Sequence, residues 1–207
     1  MARRRRAIAA IALLLLLAAG CGDTPSLPRL ADDARILAFG DSLTHGTGAA
    51  PGESYPAVLQ RLVGREVIES GVPGERTAQA RRRLPGVLER VRPDLLVLCH
   101  GGNDILQGAE PAAIEADLMA MVGNARERGI PVVLVGVPAR SLFTDTADVY
   151  YRVAERADIP LDDEIVETII DEPALRSDAV HPNARGYRRM AEAVRDLLVR
   201  AGAILGD

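Results

Sequence analysis

The feature that most constrains this chain is its alternation of short apolar runs with longer amphipathic stretches. Arg35-Ile36-Leu37-Ala38-Phe39 is a short apolar run that stops at Gly40, and residues 66–70 alternate in the manner of a strand. Residues 94–99 and 130–137 are continuous apolar runs, the pattern of strands covered on both faces. Helical spacing of apolar residues recurs at 55–63, 77–91, 114–127, 146–157, around 165–170, and at 184–201. Pro85 and Gly86 predict a kink or break in the second of these helices, and Arg81, Arg82 and Arg83 are expected on its solvated face. Strands that alternate with helices along the chain form βαβ units around a parallel sheet. Right-handed crossovers then make a three-layer α/β/α sandwich, with ligand-handling loops beyond the carboxyl ends of the strands.

The first 21 residues do not belong to this pattern. Met-Ala-Arg-Arg-Arg-Arg precedes an apolar run from Ala7 to Ala19, which ends in Gly20-Cys21. A basic start, a short apolar run and small residues mark an export signal. About 13 apolar residues are too few to span a bilayer, which takes about 20. Residues 22–34 include Pro25 and Pro28 and read as a tether, so the domain proper is expected over 35–207. The full chain carries a formal net charge of −4, and loss of Arg3 to Arg6 with the leader makes the mature chain more negative still. That balance, with 3% aromatics and no Trp, argues against a nucleic-acid partner. Cys99 ends an apolar run and reads as a buried small hydrophobe.

Four loops concentrate chemistry. Asp41-Ser42-Leu43-Thr44 follows the first strand, Gly71-Val72-Pro73-Gly74-Glu75 the second, and His100-Gly101-Gly102-Asn103-Asp104 the third. Asp178-Ala179-Val180-His181-Pro182-Asn183 precedes the last helix. A serine hydroxyl needs a base, and His45, His100 and His181 are the histidines of the sequence. Asp178 stands three residues before His181, so one turn can hold a carboxylate against the imidazole. Gly74 offers a bare backbone N–H, Asn103 a side-chain amide and Ser42 its own N–H, the donors that an oxyanion requires. Each also has a plainer reading. Ser42 and Asp41 fit a helix cap, Gly74 a turn, and Asn103 a loop-stabilising amide; Asp104 reads as a cap or brace. His45 and His100 read as loop residues, and no zinc-ligand spacing is present.

The four blocks together resemble the GDSL hydrolases, also called SGNH hydrolases. Phe39-Gly40-Asp41-Ser42-Leu43-Thr44 resembles their first block, Gly74 their second-block glycine, Gly101-Gly102-Asn103-Asp104 their third block, and Asp178 to Asn183 their fifth. Within that family the chain looks most like the bacterial arylesterase and thioesterase I/lysophospholipase branch. The resemblance implies a flavodoxin-like sandwich and a serine esterase without cofactor, acting on aryl esters, thioesters or lysophospholipids. It implies Ser42, Asp178 and His181 as catalytic residues and Ser42, Gly74 and Asn103 as the oxyanion hole. Two positions depart from related patterns: Cys99 stands where many members of the branch carry an acidic residue, and Thr44 replaces the second glycine of the α/β-hydrolase elbow. Leu17-Ala18-Ala19-Gly20-Cys21 resembles a bacterial lipobox, with Ala18 where Leu is usual, and implies an envelope lipoprotein anchored to a membrane through Cys21. A plain signal peptide is the alternative.

Leu142 and Phe143 fall where relatives keep a substrate loop, and either line an acyl pocket or anchor the loop to the core. Two rival functions stand beside the small-molecule or lipid esterase. One is an esterase that removes acetyl groups from carbohydrate or cell wall. The other is a non-catalytic lipoprotein binding module, against which the intact set of Ser42, Gly74, Asn103, Asp178 and His181 argues.

Overall fold

A computed structural model describes residues 24–139 and 145–206. Cys21, the leader around it, Leu142 and Phe143 lie outside the described residues. Five strands form one parallel sheet: β1 (Arg35–Gly40), β2 (Glu66–Gly71), β3 (Leu95–Cys99), β4 (Val132–Val135) and β5 (Leu161–Asp162). Their order is β2-β1-β3-β4-β5. This is the doubly wound flavodoxin order, whose direction reverses beside β1.

The helices are α1 (Ser42–His45), α2 (Tyr55–Val63), α3 (Thr77–Val91), α4 (Gly102–Leu106), α5 (Pro111–Arg126), α6 (Asp148–Ala157), α7 (Ile165–Asp171) and α8 (Ala184–Arg200). The step from β1 to β2 runs one way along the sheet, and the steps through β3, β4 and β5 run the other way. Right-handed crossovers therefore send α2 to one face and α3, α5 and α6 to the opposite face. The packing agrees: α2 lies on α8, while α3 lies on α5 and α5 on α6. Every residue of β3 is buried, as its uninterrupted apolar run requires of a central strand.

Three expectations are corrected. Helix α3 continues through Pro85 from Thr77 to Val91. Pro85 has no N–H to give the Arg81 carbonyl, but Arg81 is exposed, so water can serve that carbonyl. Arg83 leaves the solvated face of α3 and reaches under the sheet's end; its side chain is only 23% exposed. The third concerns residues 24–34, which do not all hang free: Leu27 N donates to Ala201 O and Leu30 N to Ala203 O, both at 2.8 Å, and Leu30 is buried. The two-residue strand β5 has no apolar run to announce it, and it was not anticipated.

Candidate active site

The register of the sheet brings three of the four loops to one level. Gly40, the last residue of β1, pairs with Gly71 of β2 and Cys99 of β3. The chain therefore leaves all three strands side by side, at the switch point of the sheet. Gly40 is required there by contact: a Cβ would stand 2.2 Å from both the Cys99 carbonyl oxygen and Thr44 Oγ1. Thr44, in the place of an elbow glycine, fills that space and hydrogen-bonds Tyr55 Oη at 3.1 Å.

Beyond Gly40, Asp41 caps α1 by accepting from Leu43 N at 3.1 Å, which sets Ser42 at the first helical position. First-turn amides have no partner within their own helix, so nothing within α1 competes with a ligand for the Ser42 N–H. Ser42 Oγ lies 3.1 Å from His181 Nε2, and His181 Nδ1 lies 2.7 Å from Asp178 Oδ2. The other Asp178 oxygen accepts from Val180 N and His181 N, each at 2.9 Å. The Val180 amide, followed by the His181 imidazole, holds the Asp178 carboxyl down at about 2. Asp178 is thus a carboxylate at any ordinary pH. It draws the imidazole proton to Nδ1 and turns the Nε2 lone pair toward Ser42.

The loop that carries this pair is fixed at both ends. Ser177 N donates to His181 O at 2.9 Å. Asn183 caps α8 by accepting from Arg185 N and Gly186 N, and its amide donates to Ala174 O and Arg176 O. From α8 the buried Tyr187 donates to Thr47 O at 2.8 Å, with Ser42 O at 3.4 Å, and so ties the histidine helix to the serine helix. Sequence reasoning missed Tyr187, because nothing local distinguishes it from any other core tyrosine.

Asn103 stands on α4 across from Ser42. Its Nδ2 donates to Glu75 O at 3.0 Å and approaches Asp41 Oδ2 at 3.3 Å. Glu75 O is a carbonyl that can only accept, so the amide nitrogen must be the atom that faces it. Burial pushes the Asp41 carboxyl above its usual range. Gly74 occupies the apex of a turn closed by Glu75 N donating to Val72 O at 3.1 Å. Its φ of +77° explains the glycine, since a side chain is strained in that region. Gly74 is exposed and does not line the cavity beside Ser42; Glu75, the next residue, links its turn to Asn103.

Asp104 is buried and accepts from Thr77 N at 2.8 Å and Thr77 Oγ1 at 3.0 Å, a brace between α4 and the start of α3. Cys99 is fully buried, as expected for a small hydrophobe. His45 ends α1 at 3.7 Å from Glu69. His100 is not a solvated loop residue: it is 1% exposed, and its Nε2 lies 3.2 Å from Glu75 Oε2.

A cavity of about 240 Å³ opens beside Ser42, His181 and Asn103. Leu43, Ile105, Val137, Val166, Ile170 and Val180 supply much of its wall. An apolar cavity with Asp41, Ser42, Asn103 and His181 on its wall suits a ligand with a hydrocarbon part and one reactive polar centre. Among the described residues, no cluster of His, Cys, Asp and Glu is placed to hold a metal ion.

A doubly wound α/β sandwich with a serine, a histidine and a carboxylate in hydrogen-bonded series at the switch point has the construction of a serine hydrolase. The chain matches the GDSL-like Lipase/Acylhydrolase family over residues 38–189, and it belongs to that family. It is 29% identical over 177 residues to an arylesterase of Vibrio mimicus, covering 80% of this chain and 88% of that protein. It is 28% identical over 190 residues to esterase TesA of Pseudomonas aeruginosa, covering 86% of this chain and 94% of that one. Among solved structures, it resembles AlinE4, an esterase of the SGNH-hydrolase family, with 34% identity, a TM-score of 0.65, and coverage of 86% of this chain and 100% of that chain. The chain is an ester hydrolase.

Proposed function

We propose that this enzyme hydrolyses acyl, aryl or thioesters through an acyl-enzyme on Ser42, with His181 as general base and Asp178 as its orienting carboxylate. One observation carries the assignment: the unbroken series from Asp178 Oδ2 through His181 to Ser42 Oγ, opening on the apolar cavity. The substrate classes are supported by relatives named arylesterase and thioesterase 1/protease 1/lysophospholipase L1, the latter from Escherichia coli.

In the first step Ser42 Oγ bonds to the ester carbonyl carbon while His181 Nε2 takes its proton. The carbonyl oxygen becomes an oxyanion held by the Ser42 N–H, the Gly74 N–H and the Asn103 amide. One Asn103 hydrogen is committed to Glu75 O, which fixes the amide plane, and the other, donated to Asp41 Oδ2 at 3.3 Å, is the one that turns to the oxyanion. Collapse of the intermediate breaks the bond to the leaving oxygen or sulfur, which takes the proton from His181. Water then repeats the sequence on the acyl-enzyme and releases the acid.

A series of p-nitrophenyl esters of increasing chain length, set against acetylated xylan, tests the substrate class. The cavity predicts higher kcat/KM on acyl chains longer than acetate. Faster deacetylation of xylan than of any p-nitrophenyl ester would overturn this reading in favour of a carbohydrate O-acetyl esterase.

We propose in addition that the mature enzyme is an envelope lipoprotein anchored through Cys21, on the strength of the basic start, the apolar run and Ala18-Ala19-Gly20-Cys21. Metabolic labelling with a radioactive fatty acid should mark the wild type and not Cys21→Ser. Equal labelling of both would contradict the anchor.

A further inference from the structure

The first and third blocks of the site are joined to the second by a polar network behind the cavity. Arg83 of α3 is its centre. Arg83 Nε donates to Glu75 Oε1 at 2.8 Å and Nη2 to Glu75 Oε2 at 2.6 Å, a two-pronged pair. Nη1 donates to Ser70 Oγ at 2.7 Å, and Nη2 also lies 3.3 Å from both Gly40 O and Ser70 O. The guanidinium carbon sits 4.0 Å from the centre of the Phe39 ring, which is 6.3 Å from the His100 ring. His100 Nε2 faces Glu75 Oε2 from the end of β3, and Tyr150 Oη donates to His100 O at 2.9 Å.

One guanidinium therefore touches the last residue of β1 and the penultimate residue of β2, and reaches β3 through Glu75 and His100. Those three strands lead to Ser42, Gly74 and Asn103. The convergence falls on Glu75. Its side chain is held from below by Arg83 and His100, its N–H closes the turn of Gly74, and its carbonyl accepts the Asn103 amide. Moving the Glu75 carboxylate moves both outer oxyanion donors together. With Nε2–H donated to a carboxylate, the buried Nδ1 of His100 has no hydrogen-bond partner among the described residues. A buried polar atom left unpaired by protein groups is uncommon.

We propose that Arg83 is the positioning residue of the oxyanion hole, acting through Glu75 on the Asn103 amide and the Gly74 turn. This rests on Gly74 and Asn103 being oxyanion donors. Lysine cannot replace it, because a single ammonium cannot meet a carboxylate bidentately and two strand ends at once. An oxyanion donor acts in the transition state, so its misplacement lowers kcat and leaves KM nearly alone.

The test is a double-mutant cycle of Arg83→Lys with Asn103→Ala on a p-nitrophenyl ester, with thermal unfolding of each variant measured alongside. Arg83→Lys should lower kcat by about tenfold or more with KM within about threefold. In the Asn103→Ala background the same change should cost several-fold less than in wild type, because one of the two donors it positions is gone and only the Gly74 turn is left to be displaced. Equal losses in both backgrounds, a loss carried by KM, or a kcat within twofold of wild type would each overturn the proposal. If Arg83→Lys does not fold, Glu75→Gln passes through the same cycle with the same readings; failure of both to fold makes the network a fold element and also overturns it. An unchanged kcat in Asn103→Ala alone would instead refute the oxyanion assignment on which the proposal rests.

Discussion

Replacing Asp178 by Asn isolates what the carboxylate does, because the loop dictates how the new amide sits. Asp178 Oδ1 accepts from two backbone amides, Val180 N and His181 N. An asparagine must place its carbonyl oxygen there, which turns its NH₂ toward His181 Nδ1, now 2.7 Å from Oδ2. Two donors cannot face one another, so Nδ1 becomes the acceptor and the imidazole proton moves to Nε2. That proton then points at Ser42 Oγ, 3.1 Å away, and the base is lost. Flipping the amide would restore the tautomer but set NH₂ against two backbone N–H groups and forfeit both hydrogen bonds, worth about 0.5–1.5 kcal/mol each. Adding the lost attraction to the developing imidazolium, the barrier rises by about 5 kcal/mol, or on the order of 10⁴ in kcat. Asp178→Ala leaves the imidazole free to take either tautomer and should lose less. The assay is kcat on a p-nitrophenyl ester at saturation, with Tm measured to show that each variant is folded. A folded Asp178→Asn enzyme within tenfold of wild type, or one more active than Asp178→Ala, would refute this reasoning.

Asn103→Ala should cost about 10²–10³ in kcat with little change in KM, as for one lost oxyanion donor, measured by steady-state kinetics on the same ester. Glu75 gives a pH dependence of stability. Burial alone would raise its carboxyl, but hydrogen bonds from His100 and Arg83 outweigh that and hold it at about 2, below its ordinary 4.5. A depressed carboxyl contributes stability above the unfolded value and loses it as pH falls toward the folded one, so about 3 kcal/mol should vanish between about pH 4.5 and 2. Urea midpoints across that range should fall more steeply for wild type than for Glu75→Gln, and parallel curves would contradict the assignment. Val166→Phe puts a larger side chain into the cavity wall and should lower kcat/KM on long acyl esters about tenfold or more while sparing acetate. A chain-length series checks it, and a uniform loss at every length would refute the cavity as the acyl site.

What the sequence made legible was local or periodic. The unbroken apolar run before Cys99 reads as a central strand because no polar residue interrupts it. The pairing of Asp178 with His181 is readable because three residues make one turn. The interactions that cross the fold were not readable. Arg83 sits beside Arg81 and Arg82 on a polar helix, and only the sheet register shows that it alone reaches Gly40, Ser70 and Glu75. His100 is a loop residue as its sequence reads, but a lone histidine after a strand carries no sign of its burial; its partner lies 25 positions away. Tyr187 was hidden for the same reason, as its acceptor Thr47 is 140 positions distant. Pro85 misled because its cost depends on whether the freed carbonyl meets water, a property of packing and not of composition.

The account rests on Ser42 being the nucleophile, and covalent trapping tests that most directly. A fluorophosphonate ester should abolish turnover with one equivalent bound, and mass spectrometry should place the added phosphonyl group on the peptide containing Ser42. Ser42→Ala should take up none, and His181→Ala should take it up far more slowly, since the base that activates Oγ is gone. Labelling of a different residue, or full ester turnover by Ser42→Ala, would contradict the mechanism outright.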